Sequence, residues 1–84
     1  MTFTDYAAQK GILLLKDDIS WLRSQILQIP KDQRKAILTR YVELWVKTRD
    51  NCQNPAKAQN EGRRASNTWL RGYINDTWCR EMVQ

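Results

Sequence analysis

Apolar residues along this chain recur at helical spacing, and Val, Ile and Thr form no alternating runs. The pattern predicts helices throughout. Thr2-Phe3-Thr4-Asp5 reads as a capping-box start, with the Thr2 hydroxyl accepting a backbone bond from near Asp5. A helix from here carries Tyr6, Ala7 and Lys10 and then meets Gly11. Glycine inside a helix costs about 1 kcal/mol relative to alanine, so the helix either breaks there or runs through at that cost. Beyond it Ile12, Leu15, Ile19, Leu22 and Ile26 step as an a/d seam, widened by Leu14 and Trp21. Asp17 and Asp18 either cap a new helix or sit on the wet side of a continuous one. Pro30 ends this segment, because the residue before a proline is pushed out of the α region.

A second helix is predicted from about Lys31 to Arg49. Asp32 near its start suits the helix dipole. Ile37, Tyr41, Leu44 and Trp45 form its apolar face, widened by Leu38 and Val42, and Glu43 and Lys47 are spaced as a favourable ion pair. The run from Asp50 to Pro55 reads as a loop, with Asn54 as N-cap and Pro55 as first residue of a third helix. Ala58, Gly62, Ala65, Trp69 and Tyr73 mark its apolar face, with Leu70 and Ile74 beside it. The small residues come first, so the N-terminal half is expected to approach a neighbour closely. Asn75-Asp76 is a candidate break, and residues 77–84 form a last short helix or an extension. The expected fold is all-α: one domain over residues 1–84, a bundle of three main helices with room for a short extra helix at either end.

Composition narrows what such a bundle can do. The 84 residues carry a net charge of +5 and no histidine. That removes the commonest general base and the commonest metal ligand. Cys52 and Cys79 form no CxxC pair and lack histidine partners, so no metal and no cofactor are expected, and two lone thiols suit a reducing compartment. No serine or cysteine has a histidine to activate it, no glycine-rich phosphate loop exists, and Tyr6, Tyr41 and Tyr73 have no evident base. Asp17 and Asp18 point about 100° apart on a helix, a poor acid/base pair. An enzyme is not expected. The longest apolar run, Ile12 to Leu15, is too short for a signal-peptide core or a membrane span, which predicts a soluble, cytoplasmic protein without a membrane partner.

The charge is unevenly placed. Residues 1–29 are neutral overall, 30–50 carry +3 and 51–84 carry +2. Lys57, Arg64 and Arg71 are spaced by seven and line one stripe of the third helix, with Asn60, Ser66, Asn67 and Thr68 nearby. The most distinctive cluster runs from Arg63 to Arg71. It reads either as a helix with an ordinary solvated charged face or as one that presents Lys57, Arg63, Arg64, Asn67 and Arg71 to a nucleic acid. Lys31, Arg34 and Lys35 at the start of the second helix then reach the adjacent backbone, where a helix N-terminus also favours phosphate.

Ile29-Pro30 followed by Arg34, Ile37, Leu38 and Tyr41, then Arg63-Arg64-Ala65, Asn67 and Trp69-Leu70-Arg71, resembles segments of phage and prophage DNA-replication proteins. It is similar to helical accessory regions of rolling-circle initiators. The initiators' catalytic part needs a histidine metal pair and a tyrosine, so without histidine no catalytic residue carries over. The resemblance implies context only: a mobile-element protein working near DNA or a replication complex.

Two functional classes follow. The first is a small basic module that binds nucleic acid, DNA rather than RNA, or accompanies DNA replication. The second is a protein-interaction adaptor that docks on a host or replication protein through an exposed patch of Trp21 with Leu14, or Trp78 with Met82. The four tryptophans serve either as core or as such anchors. The seam from Ile12 to Ile26 also allows a homodimer, which doubles the basic surface.

Overall fold

The computed structural model describes residues 2–76. Four helices follow one another: α1 (Phe3–Gln9), α2 (Lys16–Ile26), α3 (Arg34–Asn51) and α4 (Ala58–Ile74), with one 3-10 turn at Lys31–Gln33 before α3. The described residues hold no strand. The architecture is the expected small all-α bundle, with α1 as the short extra helix at the N-terminal end. An extra helix at the other end falls on residues outside the described ones.

α1 starts as a true capping box. The Thr2 hydroxyl accepts from the Asp5 amide at 3.2 Å, and the Asp5 carboxylate accepts from the Thr2 amide at 3.3 Å. It stops at Gly11, whose φ of +73° lies in the left-handed region that favours glycine. The amide of Ile12 then reaches back to the Ala7 carbonyl and that of Gly11 to the Ala8 carbonyl, both at 3.0 Å, which is a Schellman motif. Ala7 and Ile12, its two apolar ends, are both buried.

This turn breaks the heptad seam expected from Ile12 to Ile26. Ile12 to Leu15 is a non-helical connection, and α2 begins only at Lys16. Ile12 reaches the core from that connection, whereas Leu15 sits at the N-cap of α2 and is half exposed. Only Ile19, Leu22 and Ile26 share one helix. The start of α2 is capped by Asp18, whose carboxylate accepts from the Leu15 amide at 2.9 Å.

α2 ends before Leu27, and Ile29 is buried. The Gln33 amide bonds the Pro30 carbonyl at 2.9 Å, closing the 3-10 turn that leads into α3. α3 buries Tyr41, Val42 and Trp45. α4 runs antiparallel to it: Trp45 meets Gln59 and Gly62, while Tyr41 meets Ser66 and Asn67. A β-carbon built on Gly62 would lie 2.5 Å from Trp45 Cδ1, so the two helices touch where the run of small residues predicted close approach.

Two expectations for α4 need correction. The helix begins at Ala58, three residues after Pro55. Asn54 caps a preceding turn instead: its side-chain oxygen accepts from the Ala56 amide and its carbonyl from the Lys57 amide, both at 3.0 Å. The fully buried row is Gly62, Ser66, Leu70 and Ile74, while Ala65, Trp69 and Tyr73 lie half-buried at its margin. Ser66, one of the polar residues expected near the basic stripe, is sealed in the core and donates to the Tyr41 carbonyl at 2.9 Å. That bond satisfies a hydroxyl that would otherwise be costly to bury.

Candidate nucleic-acid interface

The basic residues divide into those the fold uses and those it leaves outward. Adjacent residues of a helix diverge by about 100°, so Arg63 and Arg64 take different fates. Arg63 turns inward. Its Nε lies 2.8 Å from the Asp18 carboxylate, one terminal nitrogen donates to the Leu13 carbonyl at 2.8 Å, and the other to Asn60 Oδ1 at 2.6 Å. Its guanidinium also lies 5.1 Å from the centre of the Trp45 ring. A planar fork with several donors suits this junction. It ties α4 to the start of α2 and to the Ile12–Leu15 connection.

Two further side chains hold the turn at Gly11 and that connection. Arg49 donates to the Lys10 carbonyl at 2.6 Å. Gln59 donates to the Gly11 carbonyl at 2.9 Å and accepts from the Leu13 amide at 3.2 Å and from Trp45 Nε1 at 3.0 Å. Arg34, expected on a phosphate, is half-buried and donates from Nε to the Ile29 carbonyl at 2.9 Å. Asn67, expected to face a nucleic acid, is half-buried and accepts from the Tyr41 hydroxyl. Burial of Tyr41, then the nearby Asp18 carboxylate, holds its phenol neutral well above the ordinary tyrosine range, with Arg63 opposing.

The remaining expected residues stay on the surface. Lys31, Lys35, Lys57, Arg64 and Arg71 are exposed. The described residues form two ion pairs, Arg63 with Asp18 and Arg49 with Asp50 at 3.1 Å, and none of these five takes part. The Arg71 guanidinium lies 5.7 Å from the centre of the Trp21 ring. Trp21 and Leu14 are therefore not a bare patch; both are half-buried and packed on the core. Trp78 and Met82 lie outside the described residues. Among the described residues, the large hydrophobic side chains that are exposed are Leu13, Leu15 and Leu27.

The structure also shows a surface that sequence reasoning did not single out. Shallow depressions follow one another along the open side of α3. One is lined by Arg40, Glu43, Leu44 and Lys47 with Trp69 from α4. The next shares Leu44 and Lys47 and extends past Cys52 to Lys57 and Glu61. A third shares Arg40 and Glu43 and continues to Lys35. The signal in the sequence was the spacing of Arg40, Glu43 and Lys47, which places them together on the wet side of α3.

Among the described residues no group of three or more Cys, Asp or Glu is placed to hold a metal ion, and no helix is long and apolar enough to cross a membrane. Cys52 is a free thiol. Comparison of the chain with protein families, with curated proteins and with solved structures yields no match.

Proposed function

We propose that this chain is a small, non-catalytic module that binds nucleic acid, DNA in preference to RNA, through the basic residues its fold leaves free. The observation that carries the reading is the division between neighbouring arginines. Arg63, Arg49 and Arg34 are consumed by internal hydrogen bonds. Lys57 at the N-cap of α4 and Arg64 within it, with Lys31 in the 3-10 turn and Lys35, Arg40 and Lys47 along α3, remain exposed and outside both ion pairs. Unpaired cations on adjoining helices are what a phosphate backbone requires. The likeness to replication-protein segments favours DNA and a mobile-element setting. It carries little weight alone, because Arg34, Arg63, Asn67 and Leu70, which contribute to it, are accounted for by the fold.

The test is fluorescence anisotropy with labelled oligonucleotides at low and moderate salt. Binding that weakens by orders of magnitude between about 50 and 200 mM salt supports the reading. Absence of binding at the lower salt overturns it.

The adaptor reading keeps one specific support. Leu13 and Leu15, both more than half exposed at 57% and 51%, sit on a connection whose backbone Gln59 and Arg63 hold in place. A protein partner that survives nuclease treatment and is lost on Leu13→Ser with Leu15→Ser favours it.

A further inference from the structure

The three described tryptophans are placed in three different ways. Trp45 is fully buried beneath the Arg63 guanidinium. Trp21 is half-buried beneath that of Arg71. Trp69 is half-buried and stacks with Tyr73, ring centres 5.7 Å apart and planes 29° apart, yet it lines a surface depression. No described cation lies over its ring. Beside it in that depression stand Leu44, the cations Arg40 and Lys47, and Glu43.

We infer that this depression is a base-stacking subsite for single-stranded nucleic acid, with one unpaired base laid against Trp69 and Leu44 and its flanking phosphates on Arg40 and Lys47. The inference rests on the nucleic-acid reading above and narrows its ligand. An aromatic surface beside cations is the arrangement that single-strand binders use, since every base has a π-face and every linkage a charge. Glu43 decides between strands. A carboxylate in the depression repels phosphate and can only accept hydrogen bonds. Every unpaired base turns an N–H of its pairing edge outward, whereas in a duplex that edge is closed by the opposite strand and amino hydrogens remain only on the floors of the grooves. A bare polyanion therefore matches this depression less well than a strand with free bases. Lys57, in the adjoining depression, extends the cationic track along the strand.

The test uses the unaltered protein and two single strands of equal length and charge, one of oligo(dC) and one made entirely of abasic units. Stacking predicts oligo(dC) binding about tenfold more tightly at the same salt. It also predicts that Trp69→Leu removes most of that advantage while Trp21→Leu does not. Equal affinity for the two strands overturns the stacking subsite and leaves the electrostatic reading standing. Failure of both strands and of a duplex to bind overturns the two together.

Discussion

Gly62→Ala probes the α3–α4 contact on which the whole arrangement depends. Alanine is the better helix former by about 1 kcal/mol, so propensity alone favours the substitution. The packing opposes it. The new β-carbon would lie 2.5 Å from Trp45 Cδ1, 2.8 Å from Nε1 and 2.9 Å from the Trp45 carbonyl oxygen. The ring cannot swing away, because Trp45 is 0% exposed and its Nε1 is bonded to Gln59. The carbonyl cannot move without moving α3. Overpacking of this kind costs about 1–3 kcal/mol, and loss of the Trp45–Gln59 bond adds about 1 kcal/mol. After the propensity gain the expected net loss is about 1–3 kcal/mol. Gly72→Ala is the matched control on the same helix, since nothing lies within 4 Å of its β-carbon position. It is expected to gain up to about 1 kcal/mol. Thermal and urea unfolding followed by circular dichroism read both, at roughly 4–8 °C of Tm for each kcal/mol. A Gly62→Ala protein as stable as the parent, or more so, would refute the close contact.

Other expectations follow from the same geometry. Arg63→Ala leaves the Asp18 carboxylate largely buried without its cation and is expected to cost about 3 kcal/mol in urea unfolding, whereas Arg64→Ala should stay within about 0.5 kcal/mol. Equal costs for the two would contradict their division into inward and outward residues. Tyr41 ionises near pH 10 when unfolded but is held neutral to higher pH when folded. The unfolded chain therefore releases a proton that the folded chain keeps, and stability should fall as pH rises past about 10. Tyr41→Phe, which costs about 1 kcal/mol at neutral pH, should remove that part of the alkaline slope; an unchanged slope would sink the assignment.

Much of the fold was legible in the sequence, because helices declare themselves through spacing and caps. The Thr2/Asp5 box, the apolar face of α3 and the small-to-large gradient of α4 all report local chemistry. The break at Gly11 was one of the readings the glycine allowed, but the seam from Ile12 to Leu15 was misread because periodicity does not reveal that the four residues after the break are non-helical. Ile12 is buried from a non-helical connection just as it would be from a helix. The site was less legible. Arg63 and Arg64 are the same residue type side by side, and only the α4 contacts decide which meets Asp18. Ser66 reads as polar until Gly62, Leu70 and Ile74 are seen to share its row. Trp69 reads as core because large aromatic residues usually are, and its place in a surface depression depends on how α3 and α4 cross.

The proposed function rests on the cations left over by folding being the ones that bind nucleic acid. The slope of log affinity against log salt, measured for the parent and for Lys57→Ala with Arg64→Ala, tests it most directly. The expected outcome is a negative slope for the parent that becomes shallower by about 1 to 2 in the double variant, with thermal stability nearly unchanged. An identical slope and affinity in the two proteins would contradict it.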